Sequence, residues 1–307
     1  MLAQVGSAKV AAVGHRIVHG GVAFDGPALI SDAVLASITA LAPLAPLHQP
    51  HNLAGVYAAR AAFPGVPQVA CFDTAFHRSM PPVHQRFALP QALHDAGIQR
   101  YGFHGLSYES ISAQLARAHP ALAQGRVVVA HLGNGASMCA MQGGRSVATT
   151  MGFSPLDGLT MGTRCGRIDA SVVLHLIGQQ GMATTDVARL LNQASGLLGL
   201  SGLSSDMRTL MASDLPAAKL AIDHFIETAL RELAGMVAAL RGIDALVFTG
   251  GIGENAAVLR ERIVQGAAWM GVGLGLRQEG GAVQVLVMHT DEESVIAKST
   301  ARIAKVG

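Results

Sequence analysis

GHRIVHGG, residues 14–21, closes an apolar run with paired glycines and carries one arginine inside it. Val10, Ala11, Ala12, Val13, Ile17 and Val18 read as a buried strand. A guanidinium in such a strand is costly unless it is paired. Its planar fork matches a carboxylate or phosphate through two parallel hydrogen bonds. Arg16 therefore points to a small anion held at a strand end, beside a glycine turn that lets a ligand come close. A structural ion pair is the competing reading, and this segment alone leaves both open.

Outward from this stretch, strand-like runs at 10–18, 67–72, 126–131, 244–249 and 283–288 alternate with helix-like runs at 32–42, 107–118, 170–178, 184–194, 216–241 and 256–266. That alternation predicts an α/β fold. Ser107 is placed to cap the second of these helices, and Thr184 or Thr185 the fourth. In 216–241, Leu220, Phe225, Leu230, Leu233 and Val237 fall on roughly one face, and Gly242 ends the helix. Pro43, Pro46 and Pro50 make 41–52 a rigid loop. No repeat, low-complexity tract or long linker interrupts the chain. A domain boundary is thus a hinge, and Asp73–Met80 is its expected place.

The chain has 307 residues, enough for two domains and a sizeable core. Half are hydrophobic and the mean hydropathy is +0.38, yet no stretch runs to eighteen apolar residues, so no transmembrane helix is expected. No signal peptide is read at the N-terminus. A net charge of +2, with dispersed charges and 4% aromatics, argues against nucleic acid or a membrane surface as the main partner. Cys71, Cys139 and Cys165 are odd in number, far apart and form no CxxC, which suits reduced thiols and a cytoplasmic protein. His15 and His19 are four apart on a strand pattern and no HExxH occurs, so no zinc site is expected.

Two loops have the form of phosphate cradles. HLGNGAS (131–137) follows the apolar run VVVA, and FTGGIGENA (248–256) follows DALV and leads into a helix that Asn255 is placed to cap. Glycines after a strand aim backbone N–H groups at an anion. Neither loop is a P-loop or a GxGxxG turn, which disfavours those nucleotide folds. In FDTAFH (72–77), Asp73 at a strand end is either a turn cap or a metal- or proton-handling group. YGFHG (101–105) sets His104 beside a glycine; structural and catalytic roles are both open. MGTRCGRID (161–169) offers Arg164 as a second anion clamp. The acids of TDEE (290–293) either reach Mg²⁺ or favour a helix N-terminus.

In order as well as content, GHRIVHGG, APLHQPHN, FDTAFH, RYGFHG, HLGNGAS, TMGFSPLDGLTMGTRCGRID, SGLLGLSGLSSDMR, FTGGIGENA and TDEE resemble the acetate kinase family, of the sugar kinase/actin/heat-shock chaperone superfamily. The resemblance implies two RNase H-like (actin-like ATPase) domains around a cleft. It implies reversible, in-line transfer of the ATP γ-phosphoryl to acetate, giving acetyl phosphate and ADP, with Mg²⁺ (or Mn²⁺), in a homodimer. On this resemblance Arg16 and Arg164 hold the carboxylate and the phosphoryl in flight. His104 hydrogen-bonds the phosphoryl, His48 supports it, Asp73 orders the metal or the nucleophile, and Glu292 is linked to the metal. Val18, Leu47, Phe103 and Pro155 surround the acetate methyl. The nucleotide falls to His131, Gly133, Asn134 and Gly135 of the phosphate loop and to Asp206, Met207, Arg208, Gly251, Ile252, Gly253 and Asn255.

Two departures from the family pattern stand out. The family's opening strand with Asn-x-Gly-Ser-Ser-Ser-x-Lys has no match here, so the first domain is expected to be incomplete: 1–75 with 294–307, against 76–293 for the nucleotide-binding and dimerising domain. An incomplete sheet would expose strand edges. A remnant that binds nucleotide without catalysis is the alternative, with a propionate or butyrate kinase as a further one. In GTRCGRIDA, Arg167 stands where the family usually has an aspartate; it either disturbs Arg164 or adds a third cation for phosphate.

Overall fold

The computed structural model describes residues 10–46, 48–273, 277–278 and 281–306. Leu47 lies outside the described residues. Two sheets organise the chain. The first has three strands, β1 (Val13–Ile17), β2 (Ala28–Leu29) and β3 (Gln68–Phe72). Their order is β1-β3-β2, with β1 parallel and β2 antiparallel to β3. The second has β4 (Arg126–Leu132), β5 (Ala136–Gln142), β6 (Arg145–Thr149), β7 (Ala245–Thr249) and a strand at Gln284–Val287. Here Gln284–Val287, β7 and β4 run parallel, and β4, β5 and β6 are antiparallel neighbours. The α/β expectation holds.

Strand burial follows position in the sheet. β3 and β7 are buried along their whole lengths, as strands covered on both faces must be. β1 is different: Ile17 is fully buried, while Gly14 and Arg16 are exposed. Burial is complete at Ile17 alone, so the reading of 10–18 as a buried strand is corrected to a partly exposed strand over Val13–Ile17. Gly14 has its own reason. A Cβ there would stand 2.3 Å from Thr300 Oγ1 and 2.5 Å from Ile296 Cγ2. The Glu292–Ala304 helix is therefore pressed directly onto β1, which delivers Glu292 to the end of the strand.

The five-stranded sheet is a filled sandwich. Val128, Ala130 and Leu132 of β4 pack with Phe225, Leu233 and Leu240 of the Pro216–Leu240 helix. Val127 and Val129 point the opposite way, to Tyr108, Ile111 and Leu115 of the Gly105–Ala118 helix. This is the strand period of two. Phe225 is fully buried; truncating such a side chain to alanine costs about 3–5 kcal/mol. Of the face inferred from sequence, Phe225 and Leu233 are buried and Leu230 and Val237 pack against the core, while Leu220 is 59% exposed and falls off it; Ala218, Ala221 and Ala229 bring the helix close to the sheet. Gly242, at φ 137, follows the helix as expected.

Other local expectations change. The proline-rich piece 41–52 is not all loop: a 3-10 turn covers Ala42–Leu44, and α-helix Gln49–Ala62 starts inside it. Pro50 sits in that helix's first turn, where its missing N–H costs nothing. Ser107 lies inside its helix, whose N-cap is His104, and Ala183 rather than a threonine caps Thr184–Gln193. Asn255 ends one short helix, its side chain donating to the Gly251 carbonyl, and Ala256 caps the next. The β5–β6 hairpin, absent from the sequence reading, turns on Gly143 and Gly144 at φ 57 and 72, the conformation a tight hairpin demands of both central residues. No described helix is long and apolar enough to cross a membrane.

Candidate active site

Strand ends, helix starts and glycine loops from both sheets converge on a cavity of about 410 Å³. Arg16 enters from β1. Its Nη2 donates to Asp73 Oδ2 at 2.7 Å, its Nε to the same oxygen at 3.0 Å, and its Nη1 lies 3.5 Å from Glu292 Oε2. The two readings of Arg16 are thus joined: it is paired, yet 43% of its side chain stays open to the cavity. Burial pushes the Asp73 carboxyl upward, and Arg16 pulls against it. Burial likewise raises Glu292, opposed by Arg16 and reinforced by Asp73.

The His104 loop is stitched to Asp73. Gly105 N donates to the Asp73 carbonyl at 2.8 Å, and a Cβ on Gly105 would sit 2.1 Å from that oxygen. His104 itself adopts φ 59, a left-handed conformation that a non-glycine residue takes at a cost of about 1–3 kcal/mol. The fixed surroundings impose it. Buried His77 donates from Nε2 to the Phe103 carbonyl at 2.9 Å and accepts at Nδ1 from Ser146. Burial holds His77 at about 4, hence neutral. The His104 ring stacks on His131 at 4.4 Å. Burial and the neighbouring cations hold His104 well below the usual histidine range, and His131 at about 4. Both imidazoles are neutral at pH 7.

Arg164 closes the cavity from the opposite loop. Its Nη1 donates to the Pro155 carbonyl at 2.8 Å, and among the described residues it has no carboxylate partner. Burial lowers its pKa. A Cβ built on Gly135 would lie 3.3 Å from both Arg164 Nη2 and His104 Nε2. Two nitrogens, one on each side chain, therefore point at one small space that glycine leaves open. His48 lines the same cavity, its pKa lowered by burial and then by Arg164 and Arg16. Val18, Phe103 and Pro155 supply apolar lining.

A second cavity of about 1150 Å³ adjoins the first and shares Gly133 and Asn134 with it. Asn134 is clamped against Gly162, where a Cβ would meet its Oδ1 at 1.9 Å. The cavity continues past Asp206, Met207 and Arg208 to Gly251, Ile252 and Asn255. Asp206 caps the Met207–Met211 helix and pairs with Arg208 at 2.8 Å, which lowers its carboxyl to about 2.

Some sequence expectations are displaced. Gly253 lines neither cavity; it faces the Ala130 carbonyl and Phe248, letting its helix pack on the sheet. His131 belongs to the first cavity, beside His104, and not to the second. Arg167 neither disturbs Arg164 nor joins the site: it pairs with Glu232 of the long helix at 3.0 Å, away from both cavities. The sequence reading missed His51 and Asn52, which line the first cavity because the Gln49–Ala62 helix presents them; Asn52 Oδ1 accepts from Val18 N at 3.0 Å. It also missed Ser205, Met211 and Val258 of the second. Their signal was their place beside SSDMR and GENA.

This geometry meets its family in the comparisons. The Acetokinase family model matches residues 3–298. The chain belongs to the acetokinase family. It is 53% identical over 303 residues to the acetate kinase of Methylocella silvestris, covering 95% of this chain and 75% of the relative. It is 51% identical to that of Rhodopseudomonas palustris, covering 97% and 78%. Among solved structures, the acetate kinase of Porphyromonas gingivalis matches with a TM-score of 0.87 at 38% identity, covering 96% of this chain and 78% of that one. A propionate kinase from Francisella tularensis matches with a TM-score of 0.89 at 40% identity, covering 96% and 80%. The fold is the two-domain actin-like fold of these acetokinases.

Proposed function

We propose that this chain transfers the γ-phosphoryl of ATP reversibly to acetate, giving acetyl phosphate and ADP. One observation carries the reading: Arg164, largely buried and without a carboxylate partner among the described residues, converges with His104 Nε2 on the space at Gly135. Such a space suits the flattened phosphoryl of the transition state, whose charge spreads over its equatorial oxygens. Arg16 orients the acetate carboxylate, and His48 flanks it. Val18, Phe103 and Pro155 hold the methyl. A carboxylate attacks without a general base, so Asp73 has no proton to take. The nucleotide lies along the second cavity, its phosphates passing over Gly133, Asn134 and Gly135.

Asp73 and Glu292 fit a divalent ion. Mg²⁺ is held by one or two carboxylates together with substrate phosphates, and these two carboxyls repel each other across Arg16. Among the described residues no larger cluster of metal-binding side chains exists. When bound there, such an ion would supply charge neutralisation to the transferring phosphoryl. The division into a first domain, 1–75 with 294–307, and a second, 76–293, is supported by the two separate sheets, one within 13–72 and the other within 126–287; a cytoplasmic home is proposed from the three free cysteines. A homodimer is supported by the Ala170–Gly178 helix: none of its residues is buried, and Val172, Leu174 and Ile177 are exposed, with Leu174 at 71%. An apolar face of this kind marks an interaction surface.

The test is trapping of acyl phosphate with hydroxylamine in the presence of ATP and Mg²⁺, with acetate, propionate and butyrate compared. The expected result is product with the highest kcat/KM for acetate, and a modest loss for propionate, since one methylene changes binding by about 1–3 kcal/mol. Nucleotide binding without product would support a non-catalytic remnant, and a preference for the longer acids would reassign the substrate.

A further inference from the structure

Ser137 and Tyr108 lie behind His104 and belong to neither cavity. Ser137 is on β5, directly across from His131 of β4. Tyr108 is on the Gly105–Ala118 helix, packed edge-on against His77. Both are fully buried. Ser137 Oγ lies 2.9 Å from His104 Nδ1 and is hydrogen-bonded to the Tyr108 hydroxyl. The tyrosine hydroxyl has no other partner among the described residues.

We propose that Ser137, its oxygen filled by the Tyr108 hydroxyl, is a positioning residue that locks His104 in the tautomer with its proton on Nε2, the nitrogen facing the transferred phosphoryl. The argument counts hydrogens. Two hydroxyl hydrogens must find acceptors away from water. If Ser137 donated to Tyr108, the tyrosine hydrogen would be left with no acceptor. If His104 Nδ1 carried a proton and donated to Ser137, the serine hydrogen would be stranded instead. One arrangement satisfies both hydroxyls: Tyr108 donates to Ser137, and Ser137 donates to His104 Nδ1. Nδ1 is then an acceptor, and the proton of the neutral ring resides on Nε2. Burial raises the Tyr108 hydroxyl well above its usual range, so it keeps its hydrogen throughout neutral pH. The chain thus runs one way and ends in a donor aimed at the space beside Gly135. Hydrogen-bonded partners behind a reacting histidine set its tautomer and orientation in just this way.

This inference rests on the phosphoryl-transfer reading for its catalytic meaning but not for its structural content, and the experiment separates the two. In ¹⁵N-labelled full-length chain, long-range ¹H–¹⁵N correlations report which His104 nitrogen carries the proton, with His104→Gln used to assign the signals. The expected result is an Nε2-protonated ring at pH 7.5 in the wild type and in Tyr108→Phe, where the serine hydrogen still has Nδ1 as its acceptor, and loss of that preference in Ser137→Ala. In acetyl phosphate formation, Ser137→Ala should lose about tenfold in kcat with KM for acetate and ATP unchanged, and Ser137→Thr should restore it. Should Ser137→Ala fail to fold, the tautomer of the wild-type ring carries the test alone. A wild-type proton on Nδ1, or Ser137→Ala with unchanged tautomer and kcat, would overturn the proposal. If no acetyl phosphate forms while the tautomer responds as expected, the relay stands and the kinase reading falls.

Discussion

Gly135 is the residue on which the site turns, because its missing side chain is the space where Arg164 and His104 meet. Gly135→Ala should lower kcat at least tenfold, since a methyl 3.3 Å from both donors displaces groups whose removal from a reacting oxygen typically costs about 10²–10³. A fully active Gly135→Ala enzyme would refute the convergence. Arg167 shows the opposite case. Its charge stands out in sequence, but its partner, Glu232, lies sixty-five positions away on the long helix, and no local pattern reveals that. Arg167→Ala should leave kcat unchanged and cost about 1 kcal/mol, the upper range for a pair with one exposed member, read as a lower urea midpoint. A loss of activity with intact stability would return Arg167 to the site.

At the scale of elements, legibility depended on how far an element's reason lies from itself. Strands β3, β4 and β7 are continuous apolar runs and were found within a residue or two, because burial on both faces writes itself into composition. β5 was missed because Ala136–Gln142 is built of alanine, methionine and cysteine, residues with little strand preference, and is a strand only because β4 and β6 flank it. The Gln49–Ala62 helix was hidden by the prolines of 41–52, one of which, Pro50, lies in its first turn. The site loops were legible in place but not in company: glycine turns announced Gly133 and Gly251, whereas the stacking of His104 on His131 is a product of the sheet. The exposed Ala170–Gly178 helix yields a prediction of its own. Leu174→Lys should shift sedimentation from dimer to monomer with little change in thermal stability; an unchanged dimer would move the interface elsewhere.

For the whole molecule, buried neutral histidines set the response to acid. Burial places His19, His77 and His131 each at about 4 in the folded chain, against 6.5 when exposed. Below about pH 6.5 the unfolded chain takes up protons that the folded one refuses. Stability should therefore fall with pH, by up to about 1.4 kcal/mol per unit for each histidine. Asp73 and Glu292, whose carboxyls burial raises, oppose this only toward the acid end. The urea midpoint should drop between pH 7 and pH 5; a flat or rising midpoint would mean that these histidines are hydrated. The central claim is that the joined cavities carry out phosphoryl transfer to a small carboxylate. It is tested most directly by ³¹P NMR of the 307-residue chain with ATP, Mg²⁺ and acetate, beside Arg164→Ala, with ADP binding measured for both. The account predicts acetyl phosphate and ADP from the wild type, at least a hundredfold less from Arg164→Ala, and equal ADP affinity. Tight ADP binding by both chains with no acetyl phosphate from either would contradict it.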